Sequence, residues 1–291
     1  MAKTATHAPT VTARKCLFCD STDLSRTHVG PNWLNKLLFP GPSRRHERAD
    51  PLHSIDGKTK ITPTSKIKEG SIFTQKPYLA CIGCNVGWMK VFEDEMVKFS
   101  KSLFTSKETT YLTPEQVRWL SGWLTLITIL AEYIDTSRND VTISPIDRKY
   151  LKQHLSAPDH WTIIAASSDS LEWNASYRHI PLFIGKFTSM AEYHAAVREG
   201  RQPNTQISSF GMGRLFVQVF SSPDPELVYK FRIFAKISGF VQLWPLTSKS
   251  PFFKEGTKFP TDLILNSTGA DKVADAFKKE IEARTMTPEK A

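Results

Sequence analysis

The four cysteines of this 291-residue chain form two Cys-x-x-Cys pairs, Cys16 with Cys19 and Cys81 with Cys84, and the sequence has no other cysteine. A Cys-x-x-Cys turn points both sulfurs towards one centre, and two such turns supply the four thiolates of a tetrahedral zinc site. The distance along the chain between the pairs matters little, because the intervening segment can loop out. The spacing therefore predicts one structural Zn²⁺ bound by all four cysteines.

Other uses of these cysteines stay open from the residues alone. The thiols could be four unrelated core residues, or they could form disulfides or a redox pair. Four cysteines are too few for a disulfide scaffold in so long a chain, and no βαβ pattern surrounds either pair. Residues 16–100 offer few large apolar side chains outside one helix. Metal binding is therefore expected to supply much of the folding energy of this part of the chain.

Positive charge is concentrated in the first third of the chain. The formal net charge is +9, and residues 1–110 carry 17 Lys and Arg against 10 Asp and Glu, whereas residues 111–291 carry 21 against 19. A basic segment of this kind suggests a polyanionic partner, of which nucleic acid is the commonest, although a solvated basic surface is the alternative.

Nothing in the sequence predicts a membrane protein. The most apolar stretch, residues 119–131, is shorter than the about 20 residues that a membrane-spanning helix needs. Residues 1–15 are polar and do not resemble a secretory signal. We therefore expect a cytoplasmic protein with reduced thiols and no membrane partner.

The composition pattern divides the chain into three parts. Residues 1–13 are predicted to be a disordered leader. Residues 14–107 form the cysteine-bearing module, in which residues 40–70 are a long polar insertion, either a loop or a weakly held hairpin. Residues 110–291 are predicted to form a larger α+β domain with antiparallel strands, so that the fold class of the whole chain is α+β. A homodimer through this domain is a further expectation.

Hydrophobic periodicity predicts the main elements. Apolar residues recur every three or four positions from Trp88 to Leu103, which indicates an amphipathic helix. A second helix is expected to begin at Thr113, because Thr is a good N-cap, Pro114 suits the first helical position and Gln116 can cap back. Strands are predicted over residues 161–166, 173–177, 179–184, 207–210, 215–220, 228–236 and 240–243, and further helices over 144–155, 188–199 and 270–284.

Around the cysteines, the residues carry a family resemblance. The first pair is followed by a short strand ending in His28 and by Pro31-Asn-Trp-Leu34, and the second pair stands in CIGCNVGWM, with Glu93 downstream. This order resembles the zinc-knuckle branch of the HNH endonuclease superfamily, which occurs in bacterial and phage proteins. The resemblance covers about residues 14–105 and implies a treble-clef, ββα-metal fold in which one zinc joins the two knuckles.

The resemblance also implies an activity. Such nucleases hydrolyse phosphodiester bonds with a histidine as general base and a divalent cation, Mg²⁺ or Mn²⁺, and His28 occupies the matching position. Asn85 and Glu93 are the residues available to orient the histidine or bind the cation. This sequence has Thr27 where active relatives usually have an acidic residue before the histidine. A catalytically inactive zinc module that binds nucleic acid or a partner protein is therefore the alternative.

The expected partner is nucleic acid, DNA more than RNA. Candidate contacts to it are basic residues in the polar insertion and on the first predicted helix, namely Arg44, Arg45, Arg48 and Lys90.

Overall fold

The structure is a computed structural model and describes most of the chain. The described residues are 15–38, 45–48, 66–69, 71–107, 110–134, 141–182, 195, 199, 203–246, 257–258 and 263–275, and in 45–48, 66–69 and 257–258 only the backbone is described. The predicted leader, residues 1–13, and the predicted helix over residues 188–199, apart from its isolated residues 195 and 199, lie outside this set.

Helices and antiparallel strands alternate along the chain, which confirms the α+β class. The helices are α1 (Asn32–Leu38), α2 (Ile82–Val86), α3 (Trp88–Thr105), α4 (Pro114–Glu132), α5 (Pro145–His154) and α6 (Pro225–Ile237), and residues 267–275 are also helical. The strands are β1 (Leu24–Arg26), β2 (Arg45–Arg48), β3 (Lys66–Glu69), β4 (Tyr78–Cys81), β5 (Tyr111–Leu112), β6 (Thr162–Ser168), β7 (Tyr177–Leu182), β8 (Thr205–Met212), β9 (Leu215–Ser221), β10 (Val241–Trp244), β11 (Thr257–Lys258) and β12 (Ile264–Leu265).

The cysteine pairs flank a small antiparallel sheet made of β1 and β4. Leu24 pairs with Cys81 and Ser25 pairs with Ala80, so the second Cys-x-x-Cys starts where β4 ends. The first pair precedes β1, and α2 and α3 follow the second pair. The predicted helix from Trp88 is confirmed as α3, whose buried face includes Phe92 and Met96.

A large sheet forms the centre of the rest of the structure. Its strand order is β10-β6-β9-β8-β7-β2-β3, with β12 beside β6. The pairs are antiparallel except β2 with β7 and β12 with β6. Strands β2 and β3 pair antiparallel with each other, as the hairpin alternative for the polar insertion predicted. The insertion therefore extends the same sheet that the C-terminal strands build.

Two apolar layers cover the large sheet. On one face, α4 packs on β9 and β10 and is buried along most of its length. This helix begins with the predicted N-cap and capping box at Thr113 and Gln116. On the other face α6 packs on β6, β9 and β10, and the Phe231 ring stacks on Phe220 at 4.6 Å between centroids.

Two strand predictions are wrong. Residues 228–236 lie within α6, because Asp224 accepts hydrogen bonds from the Glu226 and Leu227 N–H groups as an N-cap, and Pro225 starts the helix. The alternation of apolar and basic residues there had favoured a strand. Residues 173–176 form turns, and the strand begins at Tyr177.

The apolar core continues across the predicted domain boundary near residue 108. The Trp33 ring, in α1, stacks on Trp123 of α4 with centroids 6.2 Å apart. The Arg214 N–H donates to the Phe104 carbonyl at 2.8 Å. The division into two domains at this boundary stays a prediction. The contacts described here join the two parts across it.

Candidate metal centre and adjoining strand surface

The four cysteine sulfurs lie within 4.8 Å of one another, and they are the one such cluster of possible metal ligands among the described residues. The Cys19 sulfur is 3.5 Å from that of Cys81 and 3.6 Å from that of Cys84. These separations are far longer than a disulfide bond of about 2.05 Å. The sequence prediction that the two pairs meet at one centre is therefore confirmed.

We call the two Cys-x-x-Cys turns, at residues 16–19 and 81–84, the first and second knuckles. Backbone hydrogen bonds hold the first knuckle in place. The Cys16 N–H donates to the Ser21 carbonyl at 2.7 Å, and the Asp20 N–H donates to the Cys16 carbonyl at 3.2 Å. Asp20 closes this turn in the left-handed region, with φ of 61°. The Leu17 N–H donates to the Leu79 carbonyl at 3.0 Å and so joins the knuckle to β4. The turn is held against the strand that carries the other two cysteines.

The second knuckle is the N-terminus of α2. Cys81 is its N-cap, and its sulfur accepts a hydrogen bond from the Cys84 N–H at 3.4 Å. Trp88 starts the next helix and packs edge-on against Phe18 of the first knuckle, with ring centroids 5.0 Å apart. Trp33, by contrast, stacks on Phe104 and Trp123.

This donor set fits a tetrahedral thiolate metal site. Zn–S bonds of about 2.3 Å place tetrahedral sulfurs about 3.8 Å apart, close to the separations here. Backbone hydrogen bonding at Ser21 lowers the pKa of Cys19 to about 7, so this thiol ionises readily at neutral pH. Burial raises the pKa of Cys16 and raises that of Cys84 to about 12. Such buried, crowded thiols suit a cation that replaces their protons.

His28 follows β1 on the strand extension that the knuckles hold. The Thr27 N–H donates to the Pro77 carbonyl at 2.8 Å and the Val29 N–H to the Gln75 carbonyl at 3.2 Å, which fixes the backbone on both sides of His28. The ring is half-buried, and its Nε2 is buried with no hydrogen-bond partner. Burial, with a smaller effect of the Lys76 charge, lowers the pKa of His28. The imidazole is therefore neutral at pH 7.

Thr27 points away from this surface. It is fully buried, and its hydroxyl donates to the Ser25 carbonyl and accepts a hydrogen bond from the Ala80 N–H at 3.1 Å. Thr27 is thus used here to join β1 to β4.

Asn85 lies beside β1 but does not contact His28 among the described hydrogen bonds. Its Nδ2 donates to the Ser25 Oγ and to the Arg26 carbonyl, both at 3.1 Å. It fastens α2 to the strand that leads to His28. Asn85 therefore positions the strand at Arg26, two residues before His28.

Glu93 and Lys90 lie on α3. Burial raises the pKa of the Glu93 carboxyl, which makes no hydrogen bond among the described residues. Lys90 is exposed and forms an ion pair with Asp94 at 2.7 Å. The charges that act on the Glu93 carboxyl are those of Lys90 and Asp94, and the charge that acts on His28 is that of Lys76. The described contacts do not bring Glu93 to His28.

Three exposed residues that were not predicted from the sequence lie on β1, on β4 and just before β4, namely Arg26, Tyr78 and Lys76, and the charge of Lys76 acts on His28. Arg26 and Tyr78 are partners across the β1–β4 pair, and the guanidinium lies over the Tyr78 ring at 5.9 Å from its centroid. Both are exposed, as is Lys76. We call Arg26, His28, Lys76 and Tyr78 the strand surface. The alternation of Arg26, buried Thr27 and His28 was the available sequence signal for it.

The other predicted basic contacts are only partly described. Arg44 lies outside the described residues, and Arg45 and Arg48 are placed only as backbone positions in β2. A second, catalytic cation finds no matching donor set in the described part of the chain, because no carboxylate contacts His28 there.

Elsewhere, the structure brings together an acid, a histidine and a serine that the sequence did not reveal as a set. His179 Nδ1 is 2.8 Å from the Ser208 Oγ, and its Nε2 is 3.8 Å from the Glu132 carboxylate. All three side chains are buried, and the Glu132 carboxylate also accepts the backbone N–H groups of Thr142 and Ile143. Since solvent does not reach this serine, the cluster is a structural polar network.

In the part of the chain that the structure describes, no helix has the length and apolar character to cross a membrane. Comparisons with known proteins gave no match to a family model, to a curated protein or to a solved structure. Function is therefore inferred from the residues around the cysteines.

Proposed function

We propose that residues 14–107 form a zinc-stabilised, HNH-like module of treble-clef type that binds nucleic acid and hydrolyses its phosphodiester bonds, with His28 as general base. The observation that carries this proposal is the placement of His28. It is a neutral, half-buried imidazole beside an exposed arginine, lysine and tyrosine, on a strand that the metal-binding knuckles anchor.

The chemistry requires one proton acceptor. Because His28 Nε2 is buried without a partner, we assign the proton transfer to the other ring nitrogen, Nδ1. It takes a proton from a water molecule whose oxygen forms a bond to phosphorus. The bond from phosphorus to the leaving oxygen then breaks, and that oxygen takes up a proton from solvent. A histidine whose lowered pKa keeps the ring neutral suits this task at neutral pH.

The strand surface supports a nucleic-acid substrate. Arg26 and Lys76 offer two positive charges for backbone phosphates, and Tyr78 is an exposed aromatic side chain on which a base can stack.

A second function, binding without cleavage, is favoured by two observations. Thr27 is committed to the Ala80 N–H, and Glu93 is not in contact with His28, so no described carboxylate is in place to hold a catalytic cation. In this alternative the strand surface binds nucleic acid, and no phosphodiester bond is broken.

Replacement of His28 by Gln separates the two functions. The full-length protein is incubated with plasmid DNA and with structured RNA in the presence of Mg²⁺, Mn²⁺, Ca²⁺ or Ni²⁺. Cleavage by the wild type, its loss in His28→Gln, and unchanged zinc content support the nuclease. His154→Gln, an exposed histidine at the end of α5, is the matched control. If the wild type nicks neither substrate under any of these conditions, the nuclease proposal fails.

Binding is measured on the same proteins. Removal of one cationic side chain that binds a backbone phosphate should reduce the slope of log affinity against log salt by about one. We expect this for Arg26→Ala and Lys76→Ala, and not for Lys98→Ala, whose side chain pairs with Glu95 on α3. Equal slopes in all variants would exclude the strand surface as the nucleic-acid contact.

A further inference from the structure

The indole N–H of Trp88 is buried, and no oxygen or nitrogen atom accepts a hydrogen bond from it among the described residues. Trp88 stands at the first position of α3, four residues after Cys84. Its ring is fixed by two edge-on aromatic contacts, with Phe18 at 5.0 Å and with Phe92 at 6.0 Å between centroids. A buried donor is normally paired, so this N–H calls for an acceptor among the groups beside it.

The acceptor beside this N–H is the Cys84 sulfur: burial raises the pKa of the Cys84 thiol, and a side-chain hydrogen bond from Trp88 acts in the opposite direction. Cys84 is itself buried, at 3% exposure, and therefore out of reach of water. A neutral thiol is a weak acceptor. A thiolate bound to a metal carries negative charge and attracts N–H donors more strongly, because hydrogen bonds with a charged partner are shorter and stronger.

We propose that Trp88 is a positioning residue of the metal centre, whose indole N–H donates to the Cys84 thiolate when the four cysteines hold a metal. The Cys81 sulfur already accepts the Cys84 backbone N–H at 3.4 Å. With Trp88, each sulfur of the second pair has one N–H donor, which offsets the loss of water around the buried thiolates. The inference depends on the metal site and not on cleavage of nucleic acid.

Trp33 provides a matched control. Its indole N–H is also buried without a partner, but its ring stacks on Phe104 and Trp123, and none of the described cysteine contacts involves it. Trp33→Phe and Trp88→Phe therefore remove the same group from two buried sites, only one of which adjoins a sulfur.

The direct test is proton–cadmium correlation NMR of the full chain loaded with ¹¹³Cd²⁺. A hydrogen bond to a cadmium-bound sulfur transmits scalar coupling from the metal to the donor proton. We expect cysteine Hβ signals and one indole Hε1 signal, which is lost in Trp88→Phe and kept in Trp33→Phe. Cysteine signals without any indole signal would overturn the inference and leave the metal site intact. Absence of all cadmium couplings would overturn both.

Zinc affinity, measured by chelator competition, gives a second readout. Loss of such a hydrogen bond should weaken zinc binding by about tenfold in Trp88→Phe, with Trp33→Phe close to wild type. Where Trp88→Phe fails to fold, benzothienylalanine at position 88 keeps the bicyclic shape and removes only the N–H. Wild-type affinity in that protein would contradict the proposed hydrogen bond.

Discussion

His28 owes its chemical character to its neighbours along the strand. Thr27 and Val29 are buried on one side, and the alternation of an extended chain turns His28 to the other. Its depressed pKa therefore arises from partial burial and from Lys76, without any acidic partner.

The depressed pKa of His28 links folding to pH. Between that pKa and the ordinary value of about 6.5, the unfolded chain binds a proton that the folded chain does not. The stability contribution of His28 is therefore fully present above about pH 6.5 and is lost as the pH falls towards the lower, folded-state pKa. Urea unfolding of wild type and His28→Gln, both zinc-loaded, should show a difference in unfolding free energy that shrinks on acidification. Release of zinc at low pH acts on both proteins, so a difference independent of pH would contradict this assignment.

Gly30 illustrates a constraint that composition does not show. A Cβ added there would lie 2.5 Å from the Phe73 Cβ, because the chain after His28 runs against the turn at residues 72–74. Gly30→Ala should destabilise the protein by about 1–3 kcal/mol, as overpacking does.

The control for Gly30→Ala is Gly83→Ala, in α2, where an added Cβ meets nothing within 4 Å. This change should be neutral or stabilising by up to about 1 kcal/mol, since Ala is the better helix former. Chemical denaturation of the zinc-loaded proteins measures both values, and equal effects would contradict the close approach at Gly30.

At the scale of elements, local signals decided what the sequence could predict. The cysteine spacing, the periodic apolar face of α3 and the cap at Thr113 depend on nearby residues, and the structure confirms all three. In α6, residues 228–236 alternate like a strand, and the helix follows instead from the Asp224 cap upstream. The partners of Asn85 and the separation of Glu93 from His28 depend on how α2 and α3 dock, which no local pattern encodes.

Metal removal should loosen the elements that the knuckles join. The β1–β4 pair and α2 are short, and they meet at the sulfurs, so a metal bound there would hold these elements to one another. Chelation should abolish amide hydrogen-exchange protection in residues 15–30 and 76–86. Protection in β8 and β9, which pair with each other and are buried along their whole length, should persist. Mass spectrometry of exchange with and without chelator measures this, and unchanged protection of the knuckle strands would argue against a structural metal.

At the scale of the whole molecule, the cysteine module and the C-terminal region share one interior. Leu34, Phe104, Trp123 and Val217 belong to a single buried cluster. The hairpin of β2 and β3 adds to β7 of the large sheet. Asn174 also spans the two parts, since its Nδ2 donates to the Leu38 carbonyl and its Oδ1 accepts the Gly213 N–H. An insertion that composition marks as a polar loop is thus an edge of the main sheet.

A fragment of residues 110–291 tests whether the predicted boundary separates two folding units. Without residues 1–109, the face of α4 that covers α3 becomes exposed, including Trp123, which is 1% exposed in the full chain. The β7 edge also loses its partner β2. We expect the fragment to lack a cooperative thermal transition and to aggregate, because exposed apolar faces and open sheet edges favour association. The full-length protein should unfold with coincident near- and far-ultraviolet circular dichroism transitions. A fragment that unfolds cooperatively at the temperature of the full chain would instead establish two independent domains, with the shared cluster acting as an interface between them.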